Sequence, residues 1–96
     1  MLASHDLDNF RRASRILGVY SNVNRLRILH RLSQGPCRVG VLEQELGILQ
    51  PTLSQQLAVL RREGLVHTEK RAKYVWYRLS RGSADGALLM LAEIYS

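Results

Sequence analysis

The sequence predicts a mainly α-helical domain with a small β-hairpin, an α+β fold built from 96 residues. Apolar residues recur at helical spacing through most of the chain. β-branched and aromatic residues alternate only within residues 65–80. The length fits one domain with a small core, which pairing with a second chain would help to stabilise. We therefore expect residues 1–96 to form a single domain.

The composition favours a cytoplasmic protein. Cys37 is the single cysteine, so the chain can form no intrachain disulfide and suits a reducing compartment. The first ten residues include acidic side chains and no apolar run, which argues against a signal peptide. The longest apolar run, residues 87–92, is too short to cross a bilayer. We expect no contact with a membrane.

Spacing and end signals predict the first three helices. Residues 6–20 carry apolar side chains at helical spacing. Ser21 or Asn22 can cap a second helix, which ends at the Gly-Pro pair of residues 35–36. A short third helix begins at residue 39 and ends at Gly47, because glycine readily adopts the left-handed conformation that closes a helix.

The fourth helix begins near Pro51 and has no charged residue until its end. Leu53, Leu57 and Leu60 form its buried stripe. The side opposite that stripe is small and amide-bearing, and residues 50–60 contain no charge. Positive charge appears only in the last turn, before Gly64 ends the helix.

A hairpin and a final helix complete the predicted architecture. The segments LVHTEKR and KYVWYRL alternate as two strands around a short turn near Ala72-Lys73. The last helix, about residues 83–95, has six apolar residues in succession at 87–92 and must be covered on more than one side. With a helix–turn–helix at about 39–63 and a wing at about 65–80, this order predicts a winged helix–turn–helix domain.

The charge distribution indicates a polyanionic partner. The net charge is +6, and residues 61–81 hold seven basic residues against two acidic ones. The second helix of a helix–turn–helix enters the major groove, where amides and hydroxyls bond to base edges. Cations at its rim, here Arg61 and Arg62, are expected to meet the DNA backbone. The alternative is a winged-helix module for protein contact without a specific DNA site, and no catalytic constellation supports an enzyme.

The apolar surfaces predict a second copy of the chain as a partner. A helix that is apolar nearly all round needs a second cover, and another subunit supplies it most simply. We expect a homodimer through the first and last helices, with contacts at Phe10, Leu17, Leu88, Leu91 and Tyr95.

Three segments resemble the ArsR/SmtB family of bacterial winged-helix repressors: SNVNRLRIL at 21–29, VGVLEQELGILQPTLSQQLAVLRREGLV at 39–66 and YVWYRL at 74–79. The resemblance implies a homodimeric repressor that binds an imperfect inverted repeat in double-stranded DNA and releases it when an effector binds or oxidises the protein.

Carried onto matching positions, the resemblance assigns roles to individual side chains. It implies base reading by Gln50, Thr52, Ser54 and Gln55, and an approach of Lys73 to the minor groove or the backbone. The family often has a capping serine where Leu49 stands. Leucine cannot cap, so the start of this helix is expected to be frayed or stabilised by DNA.

The chain resembles most the subgroup of biofilm, sulfide-responsive, hemolysin and nodulation regulators. The biofilm, sulfide-responsive and hemolysin regulators sense reactive sulfur with two cysteines, whereas the nodulation repressor lacks this pair. His30 and Ser96 occupy those two positions here, so the chain cannot form that bridge. One metal-sensing subgroup has a cysteine pair where Arg38 and Gly40 stand here, and a second uses histidine on the last helix, which has none here. We therefore expect no metal and no cofactor. The effector is unknown.

Four further residues have open interpretations. Cys37 is expected in a loop, as a bystander thiol or as a one-thiol redox sensor acting between subunits, and we favour the bystander. His30 is expected to be a partly buried polar residue. Trp76 and Tyr77 are expected to anchor the wing to the core, although such aromatics can also stack on nucleic acid.

Overall fold

The structure, a computed structural model, describes residues 4–80, which contain four helices and three short strands. The helices are α1 (Ser4–Tyr20), α2 (Val23–Leu32), α3 (Val39–Leu46) and α4 (Thr52–Arg62). The strands are β1 (Cys37–Arg38), β2 (Val66–Arg71) and β3 (Tyr74–Leu79). The order matches the predicted winged helix–turn–helix, and the predicted helix at 83–95 lies outside the described residues.

The predicted caps define the helix ends. Asn22 is the N-cap of α2, and its side-chain oxygen accepts a hydrogen bond from the Arg25 backbone N–H at 3.0 Å. Gly47 closes α3 in the left-handed conformation, with φ 67°. Gly64, with φ 76°, follows the end of α4. These short segments behave as their local sequence predicts.

The core joins one face of α2 to one face of α4. Ile28 and Leu29 of α2 are fully buried, and so are the predicted stripe residues Leu53, Leu57 and Leu60 of α4, at 2% exposure or less. Leu42 of α3 and Val66 of β2 complete this centre. Since the stripe of α4 is covered in this way, its opposite side faces solvent.

One expectation about α2 is wrong. His30 is exposed rather than partly buried, because it lies opposite the buried face formed by Ile28, Leu29 and Leu32. Val23, which begins the helix, is 71% exposed although it is apolar. The core takes up only the central and C-terminal apolar residues of α2.

The hairpin has the predicted turn and gains a third strand. β2 and β3 are antiparallel, with Arg71 opposite Tyr74, and Ala72 in the two-residue turn has φ 54°. The sheet order is β1-β3-β2, and Cys37 pairs with Tyr77. Cys37 therefore lies in a strand and not in the expected loop. A two-residue strand is too short to show the alternation on which strand prediction depends.

Removing the α2 cap should destabilise the protein measurably. We expect Asn22→Ala to lower the free energy of unfolding in urea by about 1 kcal/mol, because the Arg25 N–H loses its acceptor. Asn22→Ser retains a capping oxygen and should stay within a few tenths of a kcal/mol of the wild type. Equal losses in the two variants would contradict a capping role.

Candidate nucleic-acid interface

The solvent-facing side of α4 is an uncharged polar surface with a cationic end. Ser54, Gln55 and Ala58 are exposed on this side, and Thr52 at its edge is half-buried. Arg61 and Arg62 are exposed in the last turn. This is the orientation that the leucine spacing predicts, and it presents amide and hydroxyl groups ahead of two guanidinium groups.

Gln50 has a structural contact that the sequence analysis did not assign. Its side-chain oxygen accepts hydrogen bonds from the Ser54 backbone N–H at 3.1 Å and from the Ser54 hydroxyl at 2.5 Å. The first turn also has a bond from the Leu53 N–H to the Leu49 carbonyl oxygen at 3.1 Å. Gln50 therefore supplies an acceptor to the first turn of α4, where neither Leu49 nor the N-cap residue Pro51 provides a capping side chain.

An open cleft of about 400 Å³ lies beside the cationic end of α4. Its lining residues come from α3, α4 and β3: Val39, Ser54, Leu57, Ala58, Arg61, Arg62 and Tyr77. The cleft therefore continues the polar surface of α4 toward the wing, and the two arginines border both. Small side chains such as Ser54 and Ala58 leave room for a ligand to approach the helix backbone.

The outer face of the wing, formed by Arg38, Arg71, Tyr74 and Trp76, is a stack of cations on aromatic rings. The Arg38 guanidinium lies 4.1 Å from the centre of the Tyr74 ring and 5.9 Å from that of Trp76. Arg71 lies 5.1 Å from the centre of the Trp76 ring. Lys73, in the exposed turn, lies 5.4 Å from the Tyr74 ring centre. The outer face of the wing therefore carries several cations, of which Arg71 is paired with Glu69 at 3.3 Å.

Only part of the wing could be predicted. Tyr77 packs against the core, as expected for an anchor. Trp76 is half-buried beneath two arginines on the opposite face of the sheet, where it supports the charged surface. The sequence did not predict Arg38 as part of the charged surface. Arg38 reaches the wing only because its strand, β1, pairs with β3, which places it opposite Trp76.

Cys37 is poorly placed for redox chemistry. The side chain is 2% exposed within the core, and burial raises the pKa of the thiol, although nearby Arg31 acts in the opposite direction. A neutral, buried thiol is a poor nucleophile, which favours the bystander interpretation. Residues 4–80 contain no group of three or more His, Cys, Asp and Glu side chains placed to hold a metal ion.

The first helix exposes apolar side chains to solvent. Leu7, Phe10 and Leu17 are 52%, 56% and 67% exposed. Large apolar groups grouped on one helix mark an interaction surface more often than isolated ones do. The other predicted dimer residues, Leu88, Leu91 and Tyr95, and also Ser96, lie outside the described residues. None of the helices among residues 4–80 has the length and apolar character that crossing a membrane requires.

Comparison with known proteins identifies the family. Residues 22–68 match the model of the bacterial regulatory proteins of the arsR family. The biofilm growth-associated repressor of Xylella fastidiosa is 45% identical over 80 residues, which cover 83% of this chain and 70% of that protein. The transcriptional activator HlyU of Vibrio cholerae is 39% identical over 87 residues, covering 91% of this chain and 81% of that protein.

Solved structures agree with this assignment. Reduced HlyU from Vibrio cholerae superposes with a TM-score of 0.90 at 36% identity, covering 97% of this chain and 98% of that one. A winged helix–turn–helix domain from Mycobacterium bovis, described as homodimeric, superposes with a TM-score of 0.83 at 21% identity, over 98% of this chain and 87% of that one. The second similarity concerns the fold alone.

The chain belongs to the ArsR family of bacterial regulatory proteins. Its relatives include the biofilm growth-associated repressor, the activator HlyU and the nodulation protein NolR, which match the subgroup that the resemblance named. It is a winged helix–turn–helix DNA-binding transcriptional regulator and not an enzyme.

Burial of Cys37 makes its reactivity a test of the bystander interpretation. At pH 8 we expect a thiol reagent such as dithionitrobenzoate to label the folded protein at least ~100-fold more slowly than the unfolded chain, because the reactive thiolate is both rare and enclosed. The unfolded chain in guanidinium is the control. Comparable rates in the two states would restore Cys37 as a candidate sensor.

Proposed function

We propose that the protein represses transcription by binding an inverted-repeat operator as a homodimer. The observation that carries this proposal is the solvent-facing side of α4, which is uncharged and polar up to Arg61 and Arg62. Amides and hydroxyls can read base edges in the major groove, whereas lysine or glutamate there would hold the helix away or repel phosphate. Repression is the activity named for the biofilm regulator relative.

Individual residues take different parts in this interaction. Thr52, Ser54 and Gln55 read bases, and Gln55 carries most of the discrimination because its exposed amide can bond to adenine through two atoms. The side-chain oxygen of Gln50 accepts hydrogen bonds from Ser54 and so supports this surface. The amide nitrogen of Gln50 can still donate to DNA. Arg61, Arg62 and Lys73 contact the sugar–phosphate backbone on either side of the groove.

The homodimer forms through α1 and the helix expected at residues 83–95. Phe10 and Leu17 are more than half exposed in one protomer, and burying them against a second copy removes apolar surface from water. A winged helix–turn–helix domain of the same fold, from Mycobacterium bovis, is described as homodimeric. A two-fold dimer requires half-sites about one helical turn apart.

The alternative, a protein-contact module without a specific DNA site, has less support. Such a module would favour an acidic or apolar outward side on α4, and this side is neither. Regulation does not use the dithiol of the sulfur-sensing relatives, since His30 and Ser96 occupy its positions. The protein acts in the cytoplasm without a cofactor, and its effector is unknown.

Substitution of Gln55 tests base reading. An operator is first selected from random duplexes with the wild-type protein. Gln55→Ala should then bind that operator more weakly by about 1–3 kcal/mol and bind random DNA as before. Gln44→Ala is a matched control, since this glutamine is exposed on α3, and should change neither affinity in fluorescence anisotropy.

The basic residues should respond differently to the same assay. Arg62→Ala and Lys73→Ala should weaken binding to both kinds of DNA and reduce the slope of log affinity against log salt by about one each. If Gln55→Ala weakened operator and random DNA equally, the assignment of α4 to base reading would be wrong.

A charge placed on α1 tests the dimer. Leu17→Glu should leave the protomer folded, because this side chain is 67% exposed, and should shift the protein from dimer to monomer in sedimentation velocity at micromolar concentration. Leu49→Glu is a matched control at the same 67% exposure but between α3 and α4, and should stay dimeric. A dimeric Leu17→Glu or a monomeric wild type would overturn the proposed interface.

A further inference from the structure

Arg25 of α2 contacts both α1 and α4. Its Nε donates a hydrogen bond to the Val19 carbonyl oxygen at 2.8 Å, and its Nη2 lies 3.4 Å from the Gly18 carbonyl oxygen. Its Nη1 donates to the Gln56 side-chain oxygen at 2.8 Å. One guanidinium group therefore joins the end of the exposed apolar helix to the helix that faces DNA.

The hydrogen bonds from Arg25 to α1 stabilise the C-terminal end of that helix. The last carbonyl groups of a helix have no partners within it, and they carry the negative end of the helix dipole. The last turn of α1 contains no basic residue of its own. Arg25 supplies that cation from α2, and the planar fork of the guanidinium leaves further donors for a second partner.

On α4, Arg25 binds Gln56, the neighbour of the proposed base-reading residue Gln55. Gln56 is half-buried between the leucine stripe and the edge of the exposed side, and it directly follows Gln55. The leucines hold α4 against the core, while the bond to Gln56 restrains rotation about the helix axis. A small rotation would move the Gln55 amide away from a base edge.

We propose that Arg25 is a positioning residue that ties the recognition helix to the dimer helix and thereby sets the spacing of half-sites that the dimer accepts. This inference rests on the proposed function, because it requires both base reading by α4 and dimerisation through α1. In a two-fold dimer, the orientation of each α4 relative to its α1 determines how far apart the two recognition helices lie.

A second contact between these elements provides a matched control. Arg15 of α1 lies 3.4 Å from the carboxylate of Glu63, at the end of α4. The Arg15 side chain is 67% exposed, so solvent screens this ion pair. Arg15→Gln removes a link between the same two elements without touching Arg25, and it should behave like the wild type.

The experiment measures operator affinity as a function of spacing. The operator selected with the wild-type protein is prepared with its own spacer and with spacers one base pair shorter and longer. Binding by the wild type, Gln56→Met, Arg25→Lys and the double variant is followed by fluorescence anisotropy. Methionine keeps the length of glutamine but cannot accept the bond, and lysine cannot reach both partners with one fork.

The single variants Gln56→Met and Arg25→Lys should both show the effect of losing the bond between Arg25 and Gln56. We expect each to lose about tenfold in affinity for the selected operator, to retain its affinity for random DNA, and to discriminate less between spacers. The double variant should be no weaker than the weaker single variant, because Arg25→Lys already removes the bond to Gln56. Gln56→Glu keeps an acceptor for Arg25 and should preserve the spacing preference.

Several outcomes would overturn the proposal. Additive losses in the double variant would mean that Gln56 acts on DNA independently of Arg25. An unchanged spacing preference in Gln56→Met, or its loss in a folded Gln56→Glu, would reduce Arg25 to a stabilising role. If the wild type selects no operator, the proposed function fails and this inference fails with it, whereas normal selection with unaltered variants rejects only the inference.

Discussion

Two arginines of α2 bind the carbonyl ends of the neighbouring helices, and the arrangement of the helices depends on them. Neither α1 nor α3 has a basic residue in its last turn. Arg25 donates to the Val19 carbonyl oxygen of α1, and Arg27 donates to the Leu46 carbonyl oxygen of α3. Each cation therefore meets unpaired acceptors at the negative end of a helix dipole. α2 thus supplies the positive charge that the last turns of α1 and α3 lack.

The apolar face of α2 packs into the core. Ile28 and Leu29 are completely buried against the leucine stripe of α4. Since apolar packing and the α2 arginines hold the helices together, the solvent-facing side of α4 contributes little to stability. That side is free to carry amides and hydroxyls, which suit base edges but add little to a fold. The separation of the stabilising residues from those proposed to face DNA follows from this arrangement.

The pairing of β1 with β3 links the wing to the helix–turn–helix. β1 directly precedes α3, so the wing is hydrogen-bonded to the start of the helix–turn–helix and not only to the end of α4. This pairing brings Arg38 over Tyr74 and buries Cys37 opposite Tyr77. A thiol in that position is part of the core, where solvent does not reach it.

The sequence by itself determined the four helices among residues 4–80, the caps of α2 and α3, the buried leucines of α4 and the hairpin, and through them the fold and the face that we propose meets DNA. Each of these features depends on residues within a few positions of one another, and spacing records such relations directly. Only the tertiary structure decided that Cys37 joins a strand, that Gln50 bonds to the first turn of α4, that His30 faces solvent and that Arg25 connects two helices. Most of these depend on which distant segments come together, and that information is absent from local periodicity. The Gln50 contact is local, but it depends on a side-chain conformation that residue type alone does not specify.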